Sequence, residues 1–284
     1  MIEVLHPGLY TSIQDEGRFG LQSWGVPIGG AMDKNAMHWA NKLLNNPSNS
    51  AVLEMSFKGP QFRFHQETTL VLCGAYMEPK INGIPIENNV PVHVQEKDLL
   101  QMGNAHKGCR TYMAVAGGIQ APVVLGSQSQ CKGITSETVI TKNKLIPYNS
   151  SRFIQKKGAR VHLENSYSDT KEIKVYKGPE FNLLDAETQK HLHESGFTLS
   201  VHNSRMAYIL KEKLKCSLPS MWTSPVLPGT VQCTPNGNLI VLMRDAQTTG
   251  GYPRVLQVSE DGLNVLAQKS TNDTFHFSIL PLNE

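Results

Sequence analysis

"VLMRDAQTTGGYPRVLQV", residues 241–258, is the stretch on which the reading turns. One apolar run enters and a second leaves. Between them stands a polar knot, Asp245-Ala246-Gln247-Thr248-Thr249-Gly250-Gly251-Tyr252-Pro253. Short apolar runs bounded by glycine and proline read as buried strands. A hairpin needs only about two to five connecting residues, so this connection carries more than a turn requires. It is either a structural corner or a polar floor held between rigid walls.

Working outward, strand signals dominate. They fall at "TTLVLCG" (68–74), "PVHVQ" (91–95), "RTYMAVAG" (110–117), "RVHLE" (160–164), "EIKVYKG" (172–178), "FTLSVH" (197–202), "LIVLMR" (239–244), "RVLQVS" (254–259) and "FHFSIL" (275–280). Several alternate apolar and polar residues at period two. Helices are few. "DKNAMHWANKLL" has Asp33 as N-cap and sets Ala36, Met37, Ala40, Leu43 and Leu44 on one face. A second helix is expected over 182–195, stopped by Gly196, and a third from an Asp261 cap to Gln268. Many strands with scattered short helices predict a mainly β fold of barrels or sandwiches. "KGPQF" (58–62) returns as "KGPEF" (177–181), each after a strand-like run, which suggests two related halves. The polar stretch 141–159 would lie between them, and the expected domains are 1–168 and 169–284.

A chain of 284 residues with 39% hydrophobic residues can bury a substantial core, in one large or two ordinary domains. Its net charge of +3 is thinly spread, and Glu212 interrupts the densest run, Lys211-Lys213-Lys215. A basic stripe interleaved with aromatics is lacking, which argues against nucleic acid as partner. The start "MIEVLHPGLY" has neither part of a signal peptide, and no apolar run approaches the ~18 residues of a membrane span. Five separated cysteines without a CxxC argue for reduced thiols and against a disulfide framework or structural zinc. A cytoplasmic protein is expected.

Four polar segments carry the candidate chemistry. In "SIQDEGRFGLQSWGVPIGGAMD" (12–33), Gln14, Asp15 and Arg18 crowd against Gly17 and Gly20, ahead of the helix capped by Asp33. An arginine can grip a carboxylate ligand through two parallel hydrogen bonds, and a helix start offers N–H groups to an anion. The same residues equally suit a glycine-rich loop whose Asp–Arg pair holds only its own shape. The second segment, "GCRTYMAVAGGI" (108–119), opens a strand with Arg110, and the third, "NSRMAYIL" (203–210), carries Arg205. The fourth is 245–253, whose acid, amide and hydroxyls can supply a base and donors. Backbone N–H groups at Gly250 and Gly251 could face a developing oxyanion. Other constellations fail: there is no GxxxxGK[ST] and no HExxH, and His191 and His193 point to different sides of their helix. "GSQS" (126–129) lacks the last glycine of a nucleophile elbow, leaving Ser127 a weak nucleophile candidate.

Taken together, "TSIQDEGRFG…GVPIGGAMD…AN", "LEMSFKGPQ", "GCRTYMAVAGGI", "GPEF", "RM" and "LPGTVQ…DAQTTGGYP…LAQ" resemble the family of 5-oxoprolinase C subunits. That family is also called KipA-like or allophanate hydrolase subunit 2, and is similar to the biotin-dependent carboxyltransferase region of urea amidolyase. The resemblance covers about 3–281 and implies two cyclophilin-like β-barrel domains with a few short helices. It implies an enzyme component that cleaves 5-oxoproline to glutamate, active only with the 5-oxoprolinase B (KipI-like) and A subunits. ATP is used by the complex, and a homo-oligomer is left open. It implies Arg18, Arg110 and Arg205 as anion contacts, with Asp15 orienting Arg18 and Gln14 beside it. Asp245, Gln247, Thr248 and Thr249 would line the reacting end, with Gly250, Gly251 and Tyr252 on the substrate. Two other readings stand beside this one. The first is carboxyl transfer to a urea-like acceptor from biotin on a partner protein, since this chain has no MKM. The second is a regulator that binds a KipI-like kinase inhibitor. The chain departs from the pattern at Gln128, where relatives carry arginine in "GSRST", and at Ser204-Arg205-Met206-Ala207, where they read "DRMG".

Overall fold

The computed structural model describes residues 1–149, 169–216, 218–219 and 221–281. The fold is mainly β, and the chain divides into two compact units. The first comprises Met1–Gly17 with Asp33–Ser168, and the second Arg18–Met32 with Asp169–Glu284. The segment 18–32, expected in the first half, thus belongs to the second. The reason lies in its backbone. Gly29 N–H donates to Arg244 O (2.9 Å), while Arg205 Nη2 and Arg244 Nε donate to Gly30 O (2.5 Å) and Met32 O (3.3 Å).

In the first unit two sheets share one core. One runs Leu145–Ile146, Ile2–His6, Gln61–Phe64, Leu99–Gln101, Lys80–Ile81, Ile84–Pro85; the other Tyr10–Gln14, Val52–Ser56, His106–Val115, Thr68–Tyr76, Val92–Val94. Antiparallel pairing sets Ile2 opposite Phe64 and Val4 opposite Phe62, all four wholly buried, while Gln61 and Arg63 alternate outward. Leu53, Met55, Leu70, Leu72, Met113 and Val115 of the second sheet close the same core. The helix Lys34–Leu43 packs on Thr68–Tyr76 and His106–Val115. Those strands are therefore buried on both faces, which is why they read as continuous apolar runs. Asp33 caps the helix as expected, accepting from Ala36 N–H at 3.0 Å.

The second unit is a closed barrel, ordered Glu172–Lys177, Arg254–Val258, Thr230–Cys233, Asn238–Leu242, Ala207–Lys213, Gly196–Asn203, Thr274–Ile279. It closes through a parallel pairing of Glu172–Lys177 with Thr274–Ile279. Closure leaves no free sheet edge. Ile173, Val175, Leu199, Val231, Leu239 and Val241 are wholly buried, and Phe197 packs against Phe277 with centroids 5.0 Å apart.

Several expectations shift. The second helix is Ala186–Glu194, after a 3-10 turn at Phe181–Leu183, and Gly196 opens a strand instead of stopping the helix. Its cap is Asp185, which accepts from Thr188 N–H at 2.7 Å. The third helix, Glu260–Ala267, is capped by Ser259, whose hydroxyl accepts from Gly262 N–H at 3.0 Å, and not by Asp261. Leu145–Ile146, expected between the halves, pairs with Ile2–His6. The strand expected at 160–164 lies outside the described residues, as does the part of 141–159 beyond 149. Among the described residues no helix is long and apolar enough to cross a membrane.

Candidate functional site

The strand Asn238–Leu242 delivers Arg244 and Asp245 into the polar connection of the second unit. There Asp245 N–H donates to Arg205 O (3.0 Å) and Met243 N–H to Met206 O (2.9 Å), so the two loops are zipped by their backbones. Their side chains complete the join. Arg205 Nε and Nη2 donate to Asp245 Oδ2 and Oδ1 at 2.8 and 2.9 Å, a two-pronged pair between side chains only 9% and 15% exposed. With Gly30 O also taken, the Arg205 guanidinium serves Asp245 and the floor loop. Arg205, expected to contact an anion, thus has a carboxylate partner within the chain, Asp245.

Arg18 lies in the same unit and is 1% exposed. A Cβ built on Gly29 would stand 3.6 Å from Arg18 Nη1 and 3.7 Å from Asp245 Oδ1. Gly29 (φ +67°) and Gly30 (φ +87°) are both left-handed, the region glycine enters without a Cβ penalty. Arg18, Asp245 and Arg205 therefore meet around a glycine corner, bringing three of the sequence-predicted residues together.

The rest of the connection is less uniform. Gln247 is partly buried, and its Oε1 is a buried acceptor with no hydrogen-bond partner among the described residues. Thr248 O accepts from Val226 N–H at 3.0 Å, and Thr249–Gly250 pairs with Ser224–Pro225. Gly250 is glycine for a packing reason: a Cβ there would fall 2.4 Å from Gln232 Nε2. At Gly251 the nearest atom would be 3.9 Å away, so that position has room. Tyr252 is exposed, and its carbonyl accepts from Gln232 Nε2 at 3.4 Å.

The other predicted residues belong to the first unit. Gln14 Nε2 donates to Ser12 Oγ (2.9 Å) and Gln130 O (3.1 Å). Asp15, expected to orient Arg18, instead anchors the 127–129 loop. Its Oδ1 accepts from Gly17 N–H, Ser127 Oγ and Ser129 Oγ at 2.8, 2.6 and 2.5 Å, and its Oδ2 from Gln128 N–H at 2.6 Å. Ser127 is thus a donor to a carboxylate. Gln128, read from the sequence as a departure from the family pattern, donates through Nε2 to Ala121 O at 3.0 Å.

Arg110 enters a buried polar network: its Nη1 donates to Cys109 Sγ at 3.2 Å, and its Nε is 4.0 Å from Glu54 Oε1. Tyr112 O–H donates to Glu54 Oε2 and accepts from Asp33 N–H, both at 2.8 Å. Burial, then the Glu54 and Asp33 charges, push the Tyr112 hydroxyl well above its ordinary value. The helix start offered to an anion is filled by the Asp33 carboxylate itself.

Two supports escaped sequence reasoning. Arg244, 3% exposed, donates to both Glu260 oxygens (3.0 and 2.7 Å). Arg254 binds both Glu180 oxygens and reaches Pro225 O at 3.0 Å. Arg254 holds the Glu180 carboxyl below the usual carboxylate range, chiefly through those side-chain hydrogen bonds. Neither partner is near in sequence, so no local signal marks them. Among the described residues no group of three or more His, Cys, Asp or Glu could hold a metal ion.

Likeness to known proteins gives this two-unit β chain its class. The family model "Carboxyltransferase domain, subdomain A and B" matches residues 24–279, and the chain belongs to that family. Within it, the chain is 30% identical to the C subunit of 5-oxoprolinase from Escherichia coli (strain K12), over 100% of this chain and 93% of that one. The Haemophilus influenzae counterpart, also a 5-oxoprolinase C subunit, gives the same 30%, with 100% and 93% covered. Urea amidolyase of Lachancea kluyveri is 40% identical over 45% of this chain, only 7% of its own length. Among solved structures, the K. lactis urea amidolyase matches with TM-score 0.89 at 26% identity, covering 99% of this chain and 19% of that one. The resemblance read from the motifs is thereby borne out.

Proposed function

We propose that the chain is one component of an ATP-dependent 5-oxoprolinase, hydrolysing 5-oxoproline to glutamate with the A and B subunits of that enzyme. The observation that carries this is sequence likeness: 30% identity to each of two 5-oxoprolinase C subunits, running over 100% of this chain and 93% of theirs. A lactam is a resonance-stabilised amide, and phosphorylating its carbonyl oxygen makes a poor electrophile one that water can attack. ATP is a substrate of the complex. This chain's part is to hold the lactam and the charge that grows on it.

The second-unit corner suits that work. Arg18 contacts the substrate carboxylate, and the buried Gln247 Oε1 accepts the lactam N–H, a donor it otherwise lacks. Thr248 and Thr249 face the reacting carbonyl, and Asp245, fixed by Arg205, orients the attacking water. The test is glutamate release from 5-oxoproline and ATP by the A and B subunits, with this chain present or absent. Release that needs this chain, and falls about a hundredfold with Gln247→Leu, is expected. Release that is the same without the chain ends the reading.

The family model and the 0.89 TM-score favour a second reading, carboxyl transfer from a partner-borne biotin to a urea-like acceptor. Its residues would be the same, with the arginine on carboxylate and Gln247 on an acceptor N–H. Carboxylation of urea, in place of glutamate release, would identify it.

A further inference from the structure

The sulfurs of Cys216 and Cys233 are in contact, 3.5 Å apart. Cys233 ends the strand Thr230–Cys233 and is wholly buried, whereas Cys216 lies three residues past Ala207–Lys213 and is partly exposed. These two strands flank Asn238–Leu242 in the barrel, so their ends are brought together across it. Gly237 makes the approach tight. Leu214 N–H donates to Gly237 O at 2.9 Å, and a Cβ at Gly237, itself left-handed, would lie 2.1 Å from Leu214 O.

We propose that Cys216 and Cys233 are an oxidation site, closed to a reversible disulfide by peroxide, on the strand that backs the 249–253 loop. A bond of about 2.05 Å requires the sulfurs to close by only about 1.5 Å, within reach of side-chain rotation. The more exposed Cys216 meets the oxidant first. Its thiolate attacks one peroxide oxygen, giving a sulfenic acid and releasing the other oxygen as water. Cys233 sulfur then displaces the sulfenic oxygen as a second water. Two thiols and one peroxide give one disulfide and two waters. Burial, and then the hydrogen bond with Cys216, push the Cys233 thiol up to about 12, so it is protonated at neutral pH. The consequence reaches the candidate site. Cys233 N–H donates to Pro253 O at 2.9 Å, and Gln232 Nε2 to Tyr252 O, so the pinned strand end carries the loop's exit.

The experiment treats the reduced full chain with hydrogen peroxide, alkylates remaining thiols and maps peptides by mass. A joined Cys216–Cys233 peptide two hydrogens lighter, reversed by dithiothreitol and forming faster as pH rises from 7 to 9, is expected. Cys73, Cys109 and Cys131 should remain alkylatable in denaturant, and amide exchange at Gly251 and Tyr252 should slow several-fold in the oxidised chain. Cys216 advancing to sulfinic acid while Cys233 is still alkylated would overturn the proposal. So would a link to another chain, or a disulfide that leaves the exchange at Gly251 and Tyr252 unchanged.

Discussion

Arg205 and Asp245 show how one residue pair can read as ligand chemistry and serve as architecture. Each suits an anion or a proton by itself, yet together their charges cancel in a pocket where neither is more than 15% exposed. Truncating one partner of such a pair strands the other's charge, at a cost of about 3 kcal/mol. Asp245→Ala is therefore expected to destabilise the chain by about that amount, and Arg205→Met by less, because Asp245 is the nearer to solvent. The double variant should be milder than the sum of the singles by about 1–3 kcal/mol. Urea unfolding of the four proteins checks this, and strictly additive losses would show that the pair is not coupled. What the sequence could not supply at this scale was pairing. Asp15 stands three residues from Arg18, which invited a local ion pair, but its carboxylate goes to residues 127–129, over a hundred positions away. Proximity along the chain is a weak guide wherever strands return from afar.

At the scale of elements, the corner after Glu172–Lys177 matters as much as the loop it faces. Gly178 N–H donates to Val255 O at 2.9 Å, and a Cβ at Gly178 would lie 2.1 Å from Arg254 O. The repeated KGP thus marks a place where two backbones press together, and Gly59 is as tightly packed, its Cβ position lying 2.4 Å from Met102 Cβ. Glu180 then clamps Arg254 at the start of the outgoing strand. Because its carboxyl is held below the ordinary value of 4.5, the clamp contributes fully above that pH and is lost as pH falls through the lowered value. Glu180→Gln should cost about 1–2 kcal/mol at pH 7, and the gap from the parent should close in acid as the carboxyl takes up its proton. Unfolding curves at pH 7, 5 and 3 test this, and a gap independent of pH would remove the charge from the account. Long apolar strands were legible because burial on both faces leaves an unbroken run. Gln61–Phe64 and Ile2–His6 were not, since only Phe62, Phe64, Ile2 and Val4 are fully buried there and the signal appears only once the strands pair.

For the whole molecule, a mainly β fold could be read from strand count, but the assignment of residues 18–32 could not. Residues 18–32 leave the first unit and join the second because Arg205 and Arg244, far later in sequence, take up their carbonyls. The same placement puts Arg18 in the unit that holds the Arg205–Asp245 pair and Gln247, whose Oε1 has no partner among the described residues. The readings of lactam cleavage and of carboxyl transfer both draw on these residues. The energy source separates them. Lactam hydrolysis draws on ATP directly, whereas carboxyl transfer draws on carboxybiotin delivered by another protein. With the A and B subunits present, glutamate release is expected to require ATP and to proceed at an unchanged rate when avidin is added to sequester biotin. A rate abolished by avidin, together with bicarbonate dependence, would move this chain to the carboxyl-transfer side of its family and recast Arg18 as the contact for the transferred carboxylate.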